Sequence, residues 1–246
     1  MEYYFTEEKN VDVTNSRLIV DGFEYKHLVR VLRKKLLDNL IITDGNRNIY
    51  QCKIVNITKS EIVCDILSKD YNLYEPELKL HLFVSPLRNS ERFEFLIEKV
   101  VELGVFEIYP VVSKHTVVSN RFSETKMNRL RKIIVGAMGQ SQRCYLPLLH
   151  NTVTFEKLLD MTNGKLNKIV YYEHAEENTE KIKLNSTNEI CILIGPEGGF
   201  DNNEIEILLK NNWQIESLGE RKLRTETAAI ISVFEQLIKH KGKDIL

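Results

Sequence analysis

The rhythm of apolar and polar residues changes near residue 71. Before it, apolar positions fall in short stretches rich in Ile and Val, at 17–20, 39–43, 48–57 and 61–66, and several alternate with polar residues. A period of two is what a half-buried strand requires, because successive side chains point to opposite faces. Asp21-Gly22 and the run Asp44-Gly45-Asn46 separate these stretches with residues that favour turns. One segment breaks the pattern: over 26–36, Leu28, Val31, Leu32 and Leu36 fall on one helical face. Residues 1–70 are therefore expected to form a small β-barrel that carries one basic helix.

A linker is expected at 71–77, where Pro76 holds its predecessor out of helix. Beyond it, strands expected at 78–84, 106–112, 169–172, 189–194 and 215–218 alternate with helices. The first helix has Ser90 as its expected N-cap, buries Phe93, Leu96, Ile97, Val100 and Val101, and stops at Gly104. Others are expected at 123–138 and 154–161, from the Asp201/Glu204 cap pair to Lys210, and at 226–239. The run 189–194 is apolar enough to lie inside a parallel sheet. This alternation predicts an α/β domain over 78–246, a parallel sheet covered by helices.

Composition adds little and excludes some classes. The 246 residues are 43% hydrophobic and 28% charged, with a formal net charge of −1. No apolar run reaches the length of about 18 residues that a membrane helix needs, and the acidic N-terminus lacks the core of a secretory signal. Cys52, Cys64, Cys144 and Cys191 stand far apart, which disfavours a zinc site or a disulfide scaffold and fits buried thiols in a cytoplasmic protein. No membrane and no metal are expected. Charge, however, is uneven. Lys26, Arg30, Arg33, Lys34 and Lys35 occur with no intervening acid, and seven cations against Glu124 lie between Lys114 and Arg143. Such stretches suit a polyanion.

Two segments carry the candidate chemistry. In the first, the buried strand 189–194 runs into Gly195-Pro196-Glu197-Gly198-Gly199 before a capped helix. Ligands in parallel sheets bind beyond the carboxyl ends of strands, and glycines permit close approach to backbone. The loop has neither the GxxxxGK[ST] nor the GxGxxG pattern, which disfavours a nucleoside triphosphate or a Rossmann-type cofactor. In the second, Arg221, Lys222 and Arg224 precede Thr225 and Glu226 at a helix start. Thr225 is a possible N-cap, but three cations at a positive helix end call for an anionic partner.

These two segments, GPEGGF and LGERKLRTETAA, resemble the RsmE family of ribosomal RNA uridine-N3 methyltransferases, within the SPOUT superfamily. His27–Arg33 resembles that family's HLxxVLR signature, 98–105 its ELGV helix end, and Gly139–Arg143 with Pro147 its Q-S-x-R…P motif. Gly136-Ala137 stands where the family usually has Glu-Ala. The resemblance implies a PUA-like β-barrel followed by an α/β domain with a C-terminal trefoil knot, a homodimer, and S-adenosylmethionine as cofactor. The implied cofactor positions are Leu193, Ile194, Gly195, Pro196, Glu197, Gly198 and Gly199, with Leu218, Gly219, Leu223, Arg224 and Thr225.

The implied reaction methylates N3 of a uridine in 16S RNA of the small ribosomal subunit. That nitrogen is protonated at neutral pH, so its proton must leave or its anion must be stabilised. Arg224 is the expected stabiliser and Glu226 a weaker choice of base, ahead of His27 and His115. His27, Arg30, Arg33, Lys34, Gln140 and Arg143 are the expected RNA contacts. Two rival readings are a ribose 2′-O-methyltransferase of the same superfamily and a non-catalytic ribosome-assembly factor.

Overall fold

In the computed structural model, which describes residues 2–118, 121–175 and 187–240, the chain divides into two compact units. One comprises Met1–Glu75 with Val135–Leu146, the other Pro76–Ile134 with Pro147–Leu246.

The first unit is an open, curled six-stranded sheet, a half-barrel in place of the expected barrel. Its strands are β1 (Tyr4–Phe5), β2 (Val11–Asp12), β3 (Arg17–Val20), β4 (Asn39–Thr43), β5 (Asn48–Ile57) and β6 (Ile62–Tyr71), in the order β1-β4-β5-β6-β3-β2. Pairing is antiparallel except between β1 and β4. Alternate residues point inward, and Leu18, Val20, Leu40, Ile42, Ile54 and Ile62 make the core with Tyr25 and Leu28. The expected helix over 26–36 is displaced: helix α1 covers Gly22–Lys26 and continues as a π-helical turn, His27–Val31. It ends because Arg33 adopts a left-handed φ of 53°. Of the four residues expected on one helical face only Leu28 is buried, while Val31, Leu32 and Leu36 are exposed.

Residues 135–146 complete this unit rather than the second one. The Tyr3 amide donates to the Gly139 carbonyl at 3.0 Å, and a Cβ at Gly139 would collide with the Tyr3 carbonyl oxygen. The Glu75 carboxylate accepts from the Arg143 guanidinium and, at 2.8 and 3.0 Å, from the amides of Cys144 and Tyr145. The segment 71–77, expected as a linker, is therefore anchored here through Glu75.

The second unit is built on parallel strands β7 (Lys79–Val84), β8 (Glu107–Val112), β9 (Leu148–Leu149), β10 (Val153–Thr154), β11 (Lys168–Tyr171), β12 (Glu189–Ile194) and β13 (Gln214–Glu216). Their order is β10-β8-β7-β12-β11-β13, with β9 also on β8. The helices are α2 (Ser90–Leu103), α3 (Glu124–Gln140, which belongs to this unit only as far as Ile134), α4 (Phe155–Thr162), α5 (Asn202–Lys210) and α6 (Thr225–His240). The α2 cap is Asn89, not Ser90, and its side chain accepts from the Arg92 amide at 3.1 Å. Gly104 ends α2 at a φ of 114°. Phe83, Val170, Cys191 and Leu193 pack with α4 and α5. Leu82, Ile169 and Ile192, which alternate with them, are fully buried too, so both faces of the sheet are covered. This explains why 190–194 reads as an unbroken apolar run.

Candidate cofactor and RNA-modification site

The strand register places one row of residues at the carboxyl edge of the sheet: Val84, Ile194, Tyr171 and Glu216 lie side by side. The loops leaving β11, β12 and β13 begin at this row, and a cavity of about 280 Å³ opens between them. Ten of the expected cofactor positions line it: Ile194, Gly195, Pro196, Glu197 and Gly199 from one loop, and Leu218, Gly219, Leu223, Arg224 and Thr225 from the other. Two do not. Leu193 is fully buried in the sheet core, and Gly198 faces His115, whose Cβ would lie 3.0 Å from a Cβ built there.

Each loop has a local cause. The Gly199 amide donates to the Pro196 carbonyl at 2.9 Å, closing a turn in which Gly199 has a φ of +73°. Gly195 has no room for a side chain, because a Cβ would stand 2.8 Å from the ring of buried Phe200. Asp201 and Glu204 form the reciprocal capping box of α5, as their spacing predicts. Lys114 braces it, its amide on Glu204 at 2.9 Å and its ammonium on Asp201 at 2.8 Å. His115 Nδ1 lies 3.3 Å from the Gly199 carbonyl, so this histidine supports the loop. The Thr225 hydroxyl, expected as a cap, instead donates across to the Gly195 carbonyl at 3.2 Å and ties the two loops together.

The electrostatics centre on a residue that sequence reasoning missed. Arg92, in the first turn of α2, lines the cavity and grips Glu226, with Nε to Oε1 at 2.8 Å and Nη2 to Oε2 at 2.6 Å. A third contact reaches Glu197 at 3.4 Å. The hydrogen bonds from Arg92 hold the Glu226 carboxyl below the usual carboxylate range. Glu226 is 8% exposed and does not line the cavity. A paired carboxylate held below its usual range is a poor proton acceptor, so the structure removes the reason for assigning Glu226 as base. Arg224 is exposed on the cavity wall. Lys222 pairs with Glu173 at 2.9 Å, and both line the cavity, as do Tyr171, Tyr172 and Arg221. Tyr171 also anchors α6, donating to Glu235 at 2.6 Å and accepting from Gln236 at 2.8 Å.

Of the expected RNA contacts, Arg30, Arg33 and Gln140 are exposed and His27 and Lys34 half-buried. His27 meets Tyr4 edge-on. Arg143 is a correction: it is 4% exposed, with its guanidinium paired to Glu75 at 2.8 Å. The Q-S-x-R segment thus holds the first unit together through Gly139 and Arg143. No group of three or more potential metal ligands occurs among the described residues.

A parallel sheet with two glycine-bearing loops converging on a cavity at its carboxyl edge makes this an α/β ligand-binding domain, and the families the chain matches are those of RNA methyltransferases. Residues 74–234 match the family described as the RNA methyltransferase domain and residues 20–67 the one described as the RNA methyltransferase PUA domain. The ribosomal RNA small subunit methyltransferase E of Mesomycoplasma hyopneumoniae is 34% identical over 94% of this chain and 96% of its own. That of Bacillus subtilis is 26% identical over 95% and 94%. The solved structure of the Neisseria gonorrhoeae counterpart, bound to S-adenosylmethionine, superposes with a TM-score of 0.87 at 25% identity, covering 97% of this chain and 98% of that one. The chain belongs to the ribosomal RNA small subunit methyltransferase E family.

Proposed function

We propose that this chain transfers a methyl group from S-adenosylmethionine to N3 of a uridine in small-subunit ribosomal RNA. The observation that carries the reading is the convergence of the 194–199 and 217–225 loops on one cavity at the sheet's carboxyl edge. Its residues suit the cofactor: Ile194, Leu218 and Leu223 offer apolar wall for an adenine, and Glu173 and Glu197 supply negative charge for a cationic ligand. The cofactor contributes an activated methyl on a positively charged sulfur. Thr225 and Arg92 hold the two loops in register, and exposed Arg224 faces the cavity as the group that favours an anionic uracil. Much of the rate then derives from holding the two reactants in line.

In this reading Arg30, Arg33 and Lys34, with His27 and Gln140, contact the RNA. The trefoil knot belongs to the proposal, as does the homodimer. The latter is supported by α6, which exposes Ile231, Phe234 and Ile238 at helical spacing. A cytoplasmic location follows from the substrate, and no helix of the described residues is long and apolar enough to cross a membrane.

The test supplies the protein with S-adenosylmethionine and either naked 16S RNA or small subunits from cells lacking the enzyme. The RNA is then digested and the methylated nucleoside identified by mass spectrometry. N3-methyluridine is expected. A 2′-O-methyl product would refute the choice of atom, and the absence of cofactor binding with and without RNA would leave only an assembly factor.

A further inference from the structure

The segment that follows α1 leaves four aliphatic side chains in solvent. Val31 is 68% exposed, Leu32 39%, Leu36 57% and Leu37 66%. In a segment this short, such a cluster marks a surface that something covers. Interleaved with it are Arg30, Arg33, Lys34 and Lys35. The acid nearest in sequence, Asp38, is occupied, accepting from the Lys35 amide at 2.9 Å.

The segment is also rigid. Lys34 donates its amide to the Leu28 carbonyl at 3.0 Å, and Leu37 to the Ile54 carbonyl of β5 at 2.9 Å. Arg33, just before the first anchor, and Leu37, at the second, are not glycine yet hold left-handed φ angles of 53° and 73°. A π-helical turn precedes them. Strained backbone and π turns persist where the surroundings over-determine them, and they gather at functional sites. The result is that aliphatic and cationic side chains are presented together before any partner arrives.

We propose that residues 30–37 form a preformed platform for an unpaired stretch of the RNA substrate. The cations neutralise successive phosphates, and the four aliphatic side chains take the faces of unstacked bases. The argument for this occupant is complementarity. A continuous duplex presents phosphates but keeps its base faces stacked inside, whereas an unpaired strand offers anionic and apolar surface in alternation. An acidic protein surface would match the cations, but it gives the aliphatic groups no cover. The inference rests on ribosomal RNA being the substrate, and it extends that reading from cations alone to an apolar grip.

The test measures binding of the full-length protein to a labelled uridine-containing single strand and to the same sequence as a duplex, over a range of salt. The variants are Leu36→Ser with Leu37→Ser, and Arg30→Ala with Arg33→Ala. The leucine pair is expected to weaken single-strand binding about fivefold or more, from the apolar area no longer covered, with the salt slope unchanged, and to leave duplex binding as it was. The arginine pair is expected to flatten the slope by about 0.7 per lost contact. Amide hydrogen-exchange protection of the β3–β6 sheet should match wild type in all variants, which shows that the half-barrel carrying them is folded, and S-adenosylmethionine binding should persist. Wild-type affinity of the leucine variant for the single strand overturns the platform. So does an equal loss on duplex, or a loss seen only with protein-bearing subunits and not with naked RNA. Failure of the wild-type protein to bind either RNA would instead refute the substrate reading on which the platform rests.

Discussion

Replacing Arg92 by alanine separates the ion pair from the rest of the site. The substitution leaves the Glu226 carboxylate, whose side chain is 10% exposed, without its two charge-assisted hydrogen bonds. Breaking a fully buried pair costs about 3–5 kcal/mol, whereas exposed pairs contribute about 0.2–1 kcal/mol. Arg92 itself is 30% exposed, so solvent screens part of the loss, and about 1–3 kcal/mol is expected. For a chain of this size each kcal/mol moves the melting transition by about 2–4 °C. The pH dependence identifies the cause. The Glu226 pKa is lowered from 4.5, so the pair's stabilisation is present above about pH 4.5 and lost as pH falls through the folded value. The melting difference between wild type and Arg92→Ala should therefore be full at pH 7 and shrink below pH 4.5. Arg92→Lys keeps the charge but not the fork and should recover only part of it. Identical melting of wild type and Arg92→Ala from pH 7 to pH 3 would refute the reasoning.

Four further outcomes follow from particular contacts. Burial pushes the Glu24 carboxyl up to about 7, so its stability contribution is full below about pH 4.5 and lost as pH rises to 7. Glu24→Gln should accordingly be more stable than wild type at pH 8, by about 2–3 kcal/mol, and not at pH 4; denaturant titrations at the two pH values check this. His81, at 3.2 Å, and the Tyr109 hydroxyl hold Glu107 down to about 2, so stability is lost as pH falls from about 4.5 towards 2. Glu107→Gln should lack that acid limb in thermal melts. Gly195→Ala drives a methyl into the Phe200 ring and should destabilise by about 1–3 kcal/mol while weakening S-adenosylmethionine binding in calorimetry; wild-type affinity would contradict the close approach. Arg224→Ala, at an exposed position, should leave the stability within about 0.5 kcal/mol of wild type yet slow methyl transfer about 100-fold; unchanged single-turnover rates would exclude Arg224 from the chemistry.

What could be read in advance was whatever depends on local pattern. The α5 capping box, the Gly104 stop and β12 all follow from a few consecutive residues, and each lies where expected. The glycine loops were legible for the same reason. The 26–36 helix failed because helical spacing of Leu28, Val31, Leu32 and Leu36 suggested one continuous helix, whereas the left-handed Arg33 ends the helical run before Leu36. Arg143 looked like part of a basic RNA face because its partner, Glu75, lies 68 residues away in sequence. Arg92 was overlooked for the same reason: its partner Glu226 is 134 residues distant. Tyr171, Tyr172 and Glu173 entered the cavity only because strand order sets β11 beside β12. Long-range pairing of charge has no local signature.

That pairing bears on how the methyl acceptor is made reactive. Three carboxylates stand at or beside the cavity, and each already holds a cation: Glu173 with Lys222, and Glu197 and Glu226 with Arg92. Glu226 is held below the usual carboxylate range by its hydrogen bonds from Arg92, which makes it a poor proton acceptor. Arg221 and Arg224 add positive charge on the wall formed by the second loop. Such a site is better suited to holding an anionic uracil than to pulling a proton from a neutral one. In this view the N3 proton leaves to solvent as the base settles among these cations, and the chain's catalytic investment lies in charge and alignment. On the proposed reading Arg221 and Arg224, unfavourable against the helix dipole in the free protein, have a use in the complex, where the anionic base sits beside them.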